Sequence, residues 1–578
     1  MRYEFDEYSL LTSERLLLRR GERVQLKPKV FDTLLALVRN PGRLLSKEEL
    51  IRLIWPDSFV EVSNLSQNIF TLRRVLGESP QDHRFIVTVP GYGYRFVAKV
   101  RELNEGEGPG GAAAAEVRPP IRSLAVLPLK SLLPDAGNVY LGLVIADTLI
   151  TQLGAGGVVS VRPTSTVLKY AETERDPLEV GRKLQVDAVL DGTVRRSGDR
   201  VKVNVQMMAV PGGETLWASR FEAAVADFAV IEDALAEQVA ASLRVELERG
   251  AGTRPHRKTP KDIDVYQTYI KGRFFWDKRT EEGLRVALSS ARVVLEAEPE
   301  LPLGYIGLAD SYLLMGEYLY LSPGEAFPPA LVAARKALAL DPALGEAHAS
   351  MAEYSFFHGR DWAGAERYYR DAIKLSPDYA TARHWYTWFL IAMSRYEDAA
   401  EQIRQAQMID PGSLVLNTIV GLPYYYLGRY EQAIRQFRGT LEIEPKHHHA
   451  RYYLGSALVH AGRPEEAVAE FEAMVAADPI QQAIALLGYC YAVSGRRREA
   501  GRMLSRLDEL ERRRFVAAYV RAFIHMGLGE RARALDQLER AYEEQEPWLV
   551  FLNVDPFFRG LRGEPRFTRL LERLRFPV

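Results

Sequence analysis

Five prolines, each preceded by Asp, Glu or Ser, recur along the carboxy-terminal half of the 578-residue chain at Asp341-Pro342, Ser376-Pro377, Asp410-Pro411, Glu444-Pro445 and Asp478-Pro479. Their spacings are 35, 34, 34 and 34 residues. A chain that repeats itself at this interval is a stack of like units, each burying its apolar face only against its neighbours. Twelve residues before each proline stands a small side chain, Ala330, Ala365, Ala399, Ala433 and Ala467, where two helices must approach closely. Eight before it, four units carry Tyr369, Ile403, Phe437 or Phe471. Gly421, Gly455 and Gly488 recur at a close-packing position of the first helix. The 43 residues between Pro299 and Pro342 predict an insertion near residues 318–329, and after Pro479 the units lose their proline.

This pattern resembles the tetratricopeptide repeat (TPR), a helix–turn–helix unit, over most of residues 263–578. The resemblance implies an all-α solenoid with a concave face lined by positions two, five, nine and twelve of each first helix. Those positions include Tyr354, Phe357, His384, Trp388, Tyr425 and Tyr452. They hold no Lys/Asn carboxylate clamp, so a protein or peptide partner is expected to bind there by aromatic and apolar contact. The other reading is that these aromatics belong to the stacking core.

Two stretches interrupt the globular composition. Residues 102–120 (ELNEGEGPGGAAAAEVRPP) and 250–262 (GAGTRPHRKTPKD) have linker character and leave blocks at 1–101, 121–249 and 263–578. With 47% hydrophobic and 26% charged residues, the chain has material for several packed cores, which excludes disorder throughout. The net charge is −1, but residues 1–100 hold 16 Lys/Arg against 12 Asp/Glu. The basic excess is local. One cysteine, Cys490, excludes an internal disulfide and a Cys-based zinc or iron–sulfur site, and it suits a reducing compartment. The first twenty residues do not read as a signal peptide, and no run of about 18 apolar residues occurs. The expected setting is cytoplasmic, away from the membrane.

The middle block alternates short apolar runs with helical spacing. SLAVLPL (123–129) reads as a buried strand, 140–153 and 177–185 as helices, and 187–210 as a hairpin turning at Ser197-Gly198-Asp199-Arg200. TLWASRFE adds a strand, and a helix over 228–247 closes a small α/β domain. On the strings LAVLPL, DGTVRR and LWASRFE it resembles the TolB-type amino-terminal domain.

Residues 3–26 alternate as strands do, turning at Arg20-Gly21. Pro28 opens a helix whose stripe is Val30, Phe31, Leu34, Leu35 and Val38. Ser46 with Glu49 forms a capping box before a second helix, KEELIRLIW. A Pro56-Asp57 break precedes a third, SNLSQNIFTLRRVLG, and RFIVTV and YRFVA flank a turn at PGYG. Strands, three helices and a hairpin make a winged helix. LxPKxFDxLxxLxxNPGRLLSKEEL, NLSQNIFTLRRVLG and TVPGYGYRF closely resemble the OmpR/PhoB-type DNA-binding domain. Relatives with this domain first resemble the ToxR and CadC regulators, which usually carry a membrane span that the 102–120 linker lacks. No receiver domain precedes it, so aspartyl phosphorylation is not the expected switch.

The third helix can be read from its residues alone. Leu65, Ile69, Leu72 and Leu76 face the core, and Asn64, Gln67, Asn68, Thr71 and Arg74 are assigned to the opposite face. Amides pair with adenine edges and guanidinium groups with guanine, which makes these the base-contact candidates on double-stranded DNA. Arg43, Lys47 and Arg73 are phosphate candidates, and Thr88 and Tyr92 are wing candidates. The bland alternative is a solvated helix face. Neither HExxH nor GxSxG occurs, so no enzyme is expected and no cofactor or metal is implied. His447-His448-His449 reads as a solvated run. The expectation is a multidomain chain: a winged helix-turn-helix, a small α/β domain, then an all-α TPR solenoid. Its expected role is sequence-specific transcriptional regulation, with the later domains sensing a signal or binding a protein. The alternative is a TPR scaffold whose winged helix makes protein contacts.

Overall fold

In the computed structural model, the alternating residues at the amino terminus become four antiparallel strands: β1 (Arg2–Phe5), β2 (Tyr8–Leu11), β3 (Leu16–Arg19) and β4 (Glu22–Val24). The structure describes residues 2–12, 15–19, 22–55, 62–78, 84–89, 92–98, 100–103, 121–131, 140–155, 159–171, 175–225, 228–243, 259–260 and 262–577. The turns expected at Arg20-Gly21, Pro56-Asp57 and Pro90-Gly91, and most of both linkers, lie outside the described residues. Two compact units divide the chain, 1–120 and 121–578.

In the first unit, Pro28 opens α1 (Pro28–Val38), whose Val30, Phe31, Leu34 and Val38 are buried. After β5 (Leu44–Ser46) comes α2 (Lys47–Ile54), where the Ser46 hydroxyl accepts the Glu49 amide at 3.1 Å. The Glu49 carboxylate turns instead to Arg43, 2.7 Å away. α3 (Val62–Leu76) buries Leu65, Ile69, Leu72 and Leu76. The hairpin β6 (Ile86–Val89) and β7 (Gly93–Phe96) pairs with β5 in the order β5-β7-β6. Buried Glu78 accepts the amides of Phe85 and Ile86, tying the end of α3 to the start of the hairpin. β8 (Arg101–Leu103) returns antiparallel to β1.

The second unit begins with a sheet of β9 (Ser123–Val126), β10 (Lys130–Ser131), β11 (Ser160–Val161), β12 (Ala188–Ser197), β13 (Arg200–Ala209) and β14 (Thr215–Ala224). The order is β11-β9-β12-β13-β14, with β10 beside β12. β9, β10 and β11 pair in parallel and the long strands as an antiparallel meander. β12 and β13 turn with Ser197 opposite Arg200, at the expected place. The main flanking helices are α4 (Leu141–Ala155), α5 (Thr164–Leu168), α6 (Pro177–Lys183) and α7 (Phe228–Ser242).

Helical hairpins then run from Ile263–Asp277 with Glu281–Ala297 to Ala518–Gly527 with Arg531–Glu543. Sheet and array share one apolar core, in which Leu149 and Val189 join Tyr266 and Ile306. Polar contacts follow the same seam. The Tyr266 hydroxyl donates to Asp147 at 2.7 Å, Arg162 to the Met408 carbonyl at 3.2 Å, and Lys169 to the Gly412 carbonyl at 2.6 Å.

The repeat chemistry explains the hairpins. Ala330, Ala365, Ala399, Ala433 and Ala467 are fully buried. A Cβ on Gly421 would lie 2.4 Å from Phe437, and one on Gly455 2.6 Å from Phe471, so only glycine lets those rings in. Ala433→Leu is expected to overpack this contact and cost about 1–3 kcal/mol in a denaturant melt. The gap before Pro342 is taken up by the segment 318–322 and a longer helix, Pro323–Leu340, which carries Pro328 and Pro329 in its early turns. Beyond Pro479 the hairpins continue without the proline. What persists is a left-handed residue between paired helices: Gly428, Gly462, Gly495 and Gly529, with φ of 79°, 78°, 78° and 75°.

Acidic groups are buried inside the array. The Tyr369 hydroxyl donates to Glu353, and burial pushes the Glu353 carboxyl up to about 8. Glu317 is raised by the same cause and by its nearness to Glu353. The folded state thus keeps a proton that the unfolded chain releases near pH 4.3, so stability should fall as pH climbs from about 4.5 to 8. Glu353→Gln should flatten that decline. Melting temperatures at pH 5, 6.5 and 8 check it, and parallel curves for the two proteins would refute it.

Candidate nucleic-acid interface

At roughly 100° per residue, Gln67 and Arg74 lie roughly 170° from the centre of the α3 core stripe, while Asn68 and Arg73 lie roughly 70° to either side. The contacts follow that geometry. Gln67, Arg74 and Asn64 are exposed, and their side chains have no partner among the described residues. The Thr71 hydroxyl donates back to the Gln67 carbonyl at 2.9 Å and is half-buried.

Two expected DNA contacts serve the fold instead. The Asn68 amide donates to the Lys29 carbonyl at 3.1 Å and to the Thr33 hydroxyl at 3.0 Å, which fastens α3 to α1. Arg73 donates to the Ile86 carbonyl and the Thr88 hydroxyl, both at 2.9 Å, which fastens α3 to the wing strand. Thr88 is thereby occupied as well. Arg43 is paired with Glu49, whereas the Lys47 ammonium meets no carboxylate among the described residues. Tyr92, 69% exposed, stands out beside the turn of the hairpin. Phe70 was not among the expected contacts. It is 64% exposed and flanks the Gln67 and Arg74 stripe, between them in sequence. Its spacing from both, three and four residues, was the available signal.

The aromatics assigned to a concave groove line no open groove. Phe357 is 2% exposed and Trp388 8%, and His384 and Tyr425 are also buried. Tyr354 and Tyr452 are half-buried, the latter packed edge-on to Tyr453 at 4.9 Å. Phe357 and Trp388 pack instead against the chain's own segment Pro547–Phe551. Phe551 lies 5.4 Å from Trp388 and 6.2 Å from Phe357, and the Trp548 indole donates to the Glu317 carbonyl at 2.7 Å. Trp388 itself donates to the His384 ring nitrogen at 3.3 Å, and burial lowers His384 to about 3, keeping it a neutral acceptor. Of the three histidines only His448 is exposed. His447 caps the helix His448–His460 by accepting the Ala450 amide, and His449 packs on Tyr318 at 5.3 Å. The described residues contain no group of three potential metal ligands.

A three-helix unit with a cored third helix, a polar outward stripe and a β-hairpin wing defines a winged-helix DNA-binding domain of OmpR/PhoB type. Residues 21–96 match the family "Transcriptional regulatory protein, C terminal", and residues 356–417 and 421–479 match tetratricopeptide repeat families. The chain is similar to the transcriptional regulator HilA of Salmonella typhi, 26% identical over 432 residues, 74% of each protein. Similarity to the transcriptional regulatory protein CutR of Streptomyces coelicolor is 42% over 85 residues, 14% of this chain and 37% of that one. A putative adenylate cyclase 3 of Rhizobium meliloti is 29% identical over 151 residues, 26% of each. This protein is a DNA-binding transcriptional regulator with carboxy-terminal tetratricopeptide repeats. Among the described residues no helix is long and apolar enough to cross a membrane.

Proposed function

We propose that α3 reads base edges in the major groove of double-stranded DNA, with Gln67, Arg74 and Asn64 as the principal readers and Thr71 at their edge. The observation that carries this is the partnerless Gln67 and Arg74 pair on a helix whose opposite face is fully cored. An exposed amide and guanidinium without intramolecular partners are available for bidentate contact with adenine and guanine. Lys47 and Tyr92 meet the sugar–phosphate backbone, favoured by the 16 to 12 basic excess of residues 1–100. Residues 121–249 act as a TolB-like module that, with the array at 263–578, senses a signal or recruits a protein partner. Since Phe357 and Trp388 are buried under residues 547–551, that partner is taken by an outer face. The protein works in the cytoplasm, without a cofactor and without catalysis.

Binding of the full chain to a selected duplex tests the reading. Affinity should fall linearly in log–log form with salt, as phosphate neutralisation requires. Replacing single purines by their 7-deaza forms, which remove the major-groove N7 acceptor, should weaken binding at a few positions only. Indifference to every 7-deaza substitution would exclude major-groove reading.

A further inference from the structure

We infer that Phe70 reads the C5-methyl group of a thymine, and that the preferred operator carries an A·T pair where α3 enters the groove. The inference rests on α3 being the reading helix. Phe70 is 64% exposed although the α3 core is already complete with Leu65, Ile69, Leu72 and Leu76, so it is not surplus to an unfilled core. It stands one turn after Gln67 and one turn before Arg74, on the outward side of the helix at roughly 130° from the core centre.

Those flanking side chains decide which occupant it meets. A protein-docking phenylalanine sits within an apolar patch, whereas Phe70 is set between a partnerless amide and a partnerless guanidinium. Such surroundings suit the edge of a base pair. The thymine methyl is the one apolar group displayed in the major groove, and the adenine opposite it offers the N6/N7 pair that an amide takes. Gln67 on adenine and Phe70 on the thymine methyl of the same or the next pair use both halves of that edge. The basic excess of residues 1–100 fits a polyanion.

The test uses the full chain and a duplex selected by it from a random-sequence pool, with each thymine replaced in turn by deoxyuridine. At one or two positions the loss of the methyl should weaken wild-type binding about 3- to 10-fold, the size of one buried methyl group. Phe70→Ala should bind the thymine and uracil duplexes equally at those positions with an unchanged Tm, and Phe70→Leu should keep part of the discrimination. Full methyl discrimination by Phe70→Ala, or wild-type indifference to every deoxyuridine, would overturn the inference. So would an altered oligomeric state of Phe70→Ala with discrimination intact, which would make Phe70 a contact between copies. Gln67→Ala on the same duplexes separates the two levels. If Gln67→Ala loses selection while Phe70→Ala keeps methyl discrimination, only the Phe70 inference fails. If both variants select as wild type does, the reading helix itself is wrong.

Discussion

Trp388→Ala should destabilise residues 121–578 by about 3–5 kcal/mol, the loss expected when a buried Trp leaves a cavity. Three aromatic neighbours set that size: Phe551 at 5.4 Å, Tyr453 at 5.9 Å and Trp548 at 6.0 Å. Tyr453 belongs to another repeat and the other two to the segment Pro547–Phe551, so the ring joins parts of the array far apart in sequence. Removing the indole also takes the donor from buried His384. A groove residue would behave otherwise, since exposed substitutions usually fall within about 0.5 kcal/mol. Chemical denaturation followed by far-UV circular dichroism measures the difference. Phe551→Ala should be non-additive with Trp388→Ala, because each removes the other's contact. Additive losses would separate the two residues and leave their packing in error.

Gln67→Ala with Arg74→Ala should abolish sequence selection, because each lost bidentate contact removes about 1–3 kcal/mol of discrimination. Salt-dependent binding to unrelated duplexes should persist, since phosphate contacts supply it. The melting temperature should barely move, as both side chains are exposed and without partners. Asn68→Ala gives the opposite signature. It removes two hydrogen bonds that fasten α3 to α1 and should cost about 1–2 kcal/mol of stability. Electrophoretic or fluorescence titration beside thermal melts resolves the two patterns. Lost selection with Asn68→Ala at unchanged stability would return Asn68 to the readers.

Much of this architecture is written locally. The stripe Leu65, Ile69, Leu72 and Leu76 fixes the inner face of α3, and the proline period fixes where each helical pair ends. Side-chain type misled where angle decides. Asn68 and Arg73 carry DNA-reading chemistry, but at roughly 70° from the core centre they reach α1 and the wing before they reach solvent. The core stripe leaves Phe70 out, and its angle of roughly 130° from the core centre turns it outward. The packing of residues 547–551 is a long-range result. Nothing in PWLVF (547–551) says that Phe551 meets Phe356, 195 positions earlier, at 5.9 Å. Beyond Pro479, Gly495 and Gly529 keep the left-handed turn after the proline is gone, a signal the proline period does not contain.

Selection of duplexes from a random-sequence pool by the full chain, sequenced for wild type and for Gln67→Ala/Arg74→Ala side by side, is the most direct measurement. Wild type should converge on a short consensus containing A·T and G·C positions that α3 can read. The double variant should return the pool unenriched, although it still retains DNA at low salt. An identical consensus from both proteins would contradict reading by α3, and an unenriched wild-type pool would contradict sequence reading by this chain.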